Sequence, residues 1–177
     1  GADYFHLKPA LFNSKISSRN RSVLPYGKPL YGRSLSYLKA LKLYGHCLLS
    51  PWCSFKAGIL GRCVIFDRYL YDLYVDPARF RYAASSYFVL QLLKFIPKPD
   101  VIMYLYGDAE LIHNRKPELS VEMIKTQDSK YRELFDRLNL SVISINTCTD
   151  LTLTVGLATN SIIDVHTDKC GLNLREY

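Results

Sequence analysis

An aspartate and an arginine stand side by side at the end of an apolar run, in Val64-Ile65-Phe66-Asp67-Arg68-Tyr69-Leu70-Tyr71-Asp72. A carboxylate so placed can hold a magnesium-bound water or a sugar hydroxyl. A guanidinium can grip a phosphate through two parallel hydrogen bonds. The pair suits phosphoryl chemistry, and would serve equally as a structural Asp–Arg pair on a loop. Further candidates follow other apolar runs. Lys8 follows Tyr4-Phe5-His6-Leu7, where it meets either a phosphate or water. His113-Asn114-Arg115-Lys116-Pro117-Glu118-Leu119-Ser120 puts two adjacent cations in a short connector. They would close over an anionic ligand or form a charged loop. Asn146-Thr147-Cys148-Thr149 offers small polar groups to a base, or caps a helix.

These positions need elements to hold them. Four apolar runs read as strands: Tyr4–Leu7, Cys63–Phe66, Val101–Tyr106 after the turn Pro97-Lys98-Pro99-Asp100, and Val142–Ile145. The middle two are nearly continuous in apolar residues, the pattern of strands buried on both faces of a parallel sheet. Helical patterns separate them. Residues 34–50 place Leu35, Leu38, Leu41, Leu48 and Leu49 at helical spacing. Asp76-Pro77 reads as a helix start, with an apolar face from Phe80 through Tyr87 and Phe88 to Leu93. Ser120 is expected to cap a helix carrying Ile124, Tyr131, Leu134 and Phe135 on one side. Thr149-Asp150 precedes a last helix through Leu153, Leu157 and Ile162, and the tail at 169–177 reads as loose. Strands alternating with helices argue for an open α/β sheet, in which ligands bind beyond the carboxyl ends of the strands. The candidate residues stand at those ends.

Composition narrows the function classes. The 177 residues suffice for one domain with a core, and 49% of them are hydrophobic, which argues against disorder. The net charge of +7 is uneven: residues 1–62 carry ten Lys or Arg and one acid, Asp3, whereas residues 63–177 carry thirteen basic and fifteen acidic groups. The basic part faces phosphate ligands, nucleic acid or acidic lipid, or is simply solvated. The five cysteines are odd in number and lack C-x-x-C spacing, which argues against a zinc site or a disulfide framework and suits a reducing cytoplasm. No segment reaches the ~18 apolar residues of a membrane span, and the first residues lack the pattern of a signal peptide.

The ordered set of segments resembles the thymidylate-kinase-like family of P-loop nucleoside monophosphate kinases, in its divergent bacterial form. The run from Val64 to Asp72 resembles that family's D-R-Y segment, and Asp76-Pro77-Ala78-Arg79 the Asp-Pro-x-Arg that often follows it. His6-Leu7-Lys8-Pro9 resembles the segment after its second strand, and Pro99-Asp100 the start of a later strand. Arg115-Lys116-x-Glu118-Leu119 with Gln127 and Tyr131 resembles its lid, and residues 142–164 its final strand, polar turn and helix. The resemblance covers residues 4–168. It implies a three-layer open parallel sheet with helices on both faces, one domain over residues 1–168, and frequent pairing as homodimers. It also implies ATP and Mg2+ as cofactors and a dTMP-like phosphate acceptor. By the same resemblance Arg68 binds the acceptor phosphate, Asp67 organises the magnesium water or the acceptor, and Lys8, Tyr69 and Asp72 shape the acceptor side. Arg115 and Lys116 serve as lid cations, and Asn146 and Thr147 lie near the adenine.

The family's phosphate-binding loop, G-x-x-x-x-G-K-[ST], does not occur in residues 1–177. The resemblance puts it, with its strand and helix, just ahead of Gly1. Three readings follow: ATP-dependent phosphoryl transfer to a nucleoside monophosphate or related phosphate ester; a non-catalytic nucleotide-binding or interaction module; and nucleic-acid binding through residues 1–62, which requires aromatic and basic side chains interleaved on one exposed surface.

Overall fold

All four apolar runs form strands, and the strands pair as two parallel couples. The computed structural model describes residues 2–6, 26, 28–60 and 62–170, in two compact units over residues 1–97 and 98–177. The arrangement is mixed α/β, and each unit carries its own two-stranded sheet.

In the first unit β1 (Ala2–His6) pairs in parallel with β2 (Cys63–Asp67), His6 lying opposite Asp67. A parallel pair needs a long crossover, and α1 (Arg33–Leu48) and α2 (Ser50–Ile59) stand within it. The short helix α3 (Tyr71–Val75) follows β2 almost at once, then a 3-10 turn (Ala78–Phe80) and α4 (Ser86–Leu93). Leu70, Leu73 and Val75 are fully buried, as are Ala40 of α1 and Val89 and Leu93 of α4. Burying each of the larger side chains contributes about 1.5–3 kcal/mol.

In the second unit β3 (Ile102–Tyr106) pairs in parallel with β4 (Val142–Asn146). Between them run α5 (Ala109–Arg115) and α6 (Val121–Leu138), and α7 (Leu151–Cys170) follows. Ser120 caps α6 as its sequence predicts, its Oγ accepting the Met123 amide at 3.3 Å. The α6 stripe brings Tyr131 and Phe135 against the Tyr104 ring at 5.3 and 5.4 Å.

Three expectations need correction. The helix expected to start at Asp76-Pro77 is one 3-10 turn, because Arg81 adopts a left-handed φ of 57° and breaks the path before α4. Residues 34–50 do not close their helix at residue 50: after the single residue Leu49 the chain continues as α2. The strands β2 and β3 are not buried on both faces, since Ile65 and Leu105 are exposed. Each has one strand partner among the described residues, so a continuous apolar run here does not mean a doubly covered strand.

Candidate functional site

The backbone at the end of β2 is unusual. Arg68 has a φ of 72°, a conformation that costs a non-glycine residue roughly 1–2 kcal/mol. Asp72, one turn on, holds it there. Its Oδ2 accepts the Tyr69 amide at 3.0 Å and its Oδ1 lies 3.3 Å from Arg68 Nη1. The Asp72 side chain is only 12% exposed, while that of Arg68 stays 31% exposed. One sheltered carboxylate therefore sets both the turn and the direction of the guanidinium. Asp67, the last residue of β2, is half-buried next to this turn.

Tyr69 looks inward. Its hydroxyl donates to the Pro97 carbonyl at 3.0 Å and meets Ser50 Oγ at 3.1 Å. Its ring packs on those of Phe66 and Tyr71. Burial pushes the Tyr69 hydroxyl far above its ordinary pKa, pushes Tyr71 to about 12, and pushes the neighbouring Cys47 thiol from 9.0 to about 11. Tyr69 thus braces the turn from behind. Lys8 lies outside the described residues.

A set of contacts beyond this turn escaped the sequence reading. The buried Asp76 carboxylate accepts the Tyr26 hydroxyl and, at 3.3 Å, the Arg79 amide. Arg81 donates to the Pro29 carbonyl at 2.7 Å and lies 4.0 Å over the Tyr31 ring. Tyr31 returns its amide to the Arg81 carbonyl at 2.8 Å. These tie Tyr26, Pro29 and Tyr31 to the turn at 76–82. The Asp-Pro pair was the one local signal, and the half-buried Tyr26 that meets Asp76 is 50 positions away.

In the second unit the turns after β3 and β4 lie side by side, as parallel pairing requires. Arg115 Nη1 donates to the Thr147 carbonyl at 2.9 Å. Thr147 gives its amide and its hydroxyl to the Tyr106 carbonyl at 2.8 and 3.0 Å. Asn146 Oδ1 accepts the Cys148 amide at 2.9 Å, and Cys148 Sγ accepts the Asp108 amide at 3.0 Å. Gly107 is needed for this approach: a Cβ there would stand 2.7 Å from Cys148 Sγ. Asp108 caps α5 through the Glu110 and Leu111 amides, and Lys116 forms an exposed pair with Glu118 at 3.0 Å. Arg115, expected in the lid, and Thr147, expected near the base, are in direct contact.

A second cluster, also missed, surrounds Asp128. It accepts the Tyr104 hydroxyl at 2.7 Å and Arg132 Nε at 2.9 Å. Burial alone would raise the Asp128 pKa, but the hydrogen bonds from Arg132 and Tyr104 outweigh it and lower the value. The i,i+4 spacing of Asp128 and Arg132 on α6 was its sequence signal.

Arg68, Tyr69 and Asp72, with Asp67, form one contiguous group in the first unit. Arg115, Lys116, Asn146 and Thr147 belong to the second. Among the described residues no group of three or more His, Cys, Asp or Glu stands where it could hold a metal. A magnesium ion in phosphoryl transfer takes one or two carboxylates with phosphates and waters; Asp67 is a half-buried carboxylate at the end of β2. No helix among the described residues is long and apolar enough to cross a membrane. Comparison with protein-family models and with curated proteins gave no match.

Proposed function

We propose that the chain binds the phosphate of a nucleoside monophosphate, or of a related phosphate ester, as the acceptor side of a thymidylate-kinase-like phosphoryl transfer. The observation that carries this reading is Arg68. A strained, non-glycine backbone is kept where neighbouring structure over-determines it, and such places cluster at functional sites. Here the strained residue is an arginine at the carboxyl end of a parallel strand, where ligands of open α/β sheets bind. Its guanidinium is braced by Asp72, and the side chain stays 31% exposed.

In this reading Arg68 grips the acceptor phosphate, with Lys8 adding charge and Asp67 holding a water of a magnesium ion. Asp72 orients Arg68, and Tyr69 supports the turn from behind. Arg115 and Lys116 steady the transferring phosphoryl group electrostatically, since such transfers need positioning more than covalent help. Asn146 and Thr147 border the adenine of ATP. The finer fold reading is a three-layer P-loop NTPase-like open parallel sheet with helices on both faces.

A second reading is binding of the same phosphate without turnover. Both readings require phosphate recognition. Calorimetric titration with dTMP and with thymidine tests it. Saturable binding of dTMP with thymidine at least about tenfold weaker supports the reading, given the ~1.5–3 kcal/mol of a hydrogen bond to a charged group. Equal affinity for the two would contradict it. ADP formation from ATP and dTMP then separates catalysis from binding alone.

A further inference from the structure

The helices α1 and α2 carry an outward apolar stripe that phosphate binding does not use. Leu49, between them, is itself in the right-handed helical region, so α2 continues the path of α1. Leu48, Trp52, Phe55 and Ile59 follow one another at spacings of four, three and four, which places them on one face. They are 45, 54, 63 and 71% exposed. The opposite side of the same path, at Cys47, Ser50 and Ala57, is buried.

Charge selects what covers this face. Residues 28–60 contain Lys28, Arg33, Lys39, Lys42 and Lys56 and no acid. Lys42 and Lys56 are exposed, and Lys56 Nζ lies 5.2 Å from the Trp52 ring centroid. A second copy docked on this face would set these cations against their own counterparts, with no carboxylate on the segment to offset them. An anionic lipid surface complements both features at once. Its acyl boundary takes up Trp, Phe, Leu and Ile, and its headgroup phosphates attract the lysines beside them.

We propose that the outer face of α1 and α2 lies in the plane of an anionic lipid surface, with Trp52, Phe55 and Ile59 inserted and Lys42 and Lys56 at the headgroups. The helices lie along the surface and do not cross it.

Trp52 is the chain's single tryptophan, so its fluorescence reports the contact without a label. The full chain is mixed with vesicles of phosphatidylcholine alone, or of phosphatidylcholine with phosphatidylglycerol. The expected result is a blue shift of Trp52 emission and protection from iodide with the anionic vesicles only, reversed by salt. Phe55→Glu and Lys56→Glu, both at exposed positions, should each weaken binding at least about tenfold with unchanged circular dichroism. No shift with anionic vesicles at low salt overturns the proposal. Equal binding to neutral vesicles overturns its electrostatic part. A blue shift that appears without lipid as protein concentration rises, with a dimer mass in sedimentation, assigns the face to a second copy instead.

Discussion

Arg68 Nη1 lies 3.3 Å from Asp72 Oδ1, and the other oxygen of the same carboxylate accepts the Tyr69 amide at 3.0 Å. An exposed ion pair of this length would contribute little, about 0–1 kcal/mol. The sheltered position of Asp72 changes that: removing it orphans a backbone amide as well as loosening a guanidinium. The left-handed backbone of Arg68, the short helix α3 and the open guanidinium all depend on this one side chain.

Asp72→Ala is therefore expected to cost about 1–3 kcal/mol, the desolvation penalty of a buried group left unpaired. Asp72→Asn keeps an acceptor for the Tyr69 amide and should lose less. Urea unfolding midpoints of the two variants measure the difference, and equal midpoints would mean that the amide is not held by Asp72.

At position 68 stability and binding should move apart. Neither Arg68→Gly nor Arg68→Ala retains the guanidinium, but glycine tolerates a φ of 72° and alanine does not. Arg68→Gly is expected to be more stable than Arg68→Ala by about 1 kcal/mol, while both lose phosphate affinity alike. Thermal unfolding beside a binding titration reads both effects.

Gly107→Ala tests the contact between the turns after β3 and β4. Its new Cβ would stand 2.7 Å from Cys148 Sγ and 3.1 Å from Thr147 Oγ1. Relieving that overlap should cost about 1–3 kcal/mol. Adding Cys148→Ala removes the nearer atom, so the double variant should recover part of the loss. The coupling is read from a double-mutant cycle.

Alkali should destabilise the first unit in a defined window. Burial raises the Cys47 pKa from 9.0 to about 11 and the Tyr71 pKa from 10.0 to about 12. Above pH 9 the unfolded thiol loses its proton while the folded one keeps it, so unfolding gains a driving force. Stability is expected to fall from about pH 9 to pH 11 through Cys47, and onward to pH 12 through Tyr71. Cys47→Ala should remove the first part of that slope. The same burial makes Cys47 inert to thiol reagents at pH 8 until the chain unfolds.

The strands were legible because short apolar runs bounded by turn residues leave few alternatives, and Ser120 because a capping side chain acts on its own next turn. The break at Arg81 was not: a left-handed arginine is set by Pro29 and Tyr31, some 50 residues earlier. The run to α2 lacked a clear signal because Pro51 reads as a stop, yet it is tolerated in a helix's first turn. At the candidate site, residue type and position after β2 pointed to Asp67, Arg68 and Asp72. The inward turn of the Tyr69 hydroxyl to Ser50 and Pro97 depends on tertiary packing that no local pattern encodes.

The most direct measurement is a titration of dTMP into the chain and into its Arg68→Ala variant, with Arg137→Ala on the exposed end of α6 as control. Arg68→Ala is expected to weaken binding by about ten- to a hundredfold, the worth of a hydrogen bond to a charged group, and Arg137→Ala to leave it unchanged. Affinity unaltered by the loss of Arg68 would contradict the account.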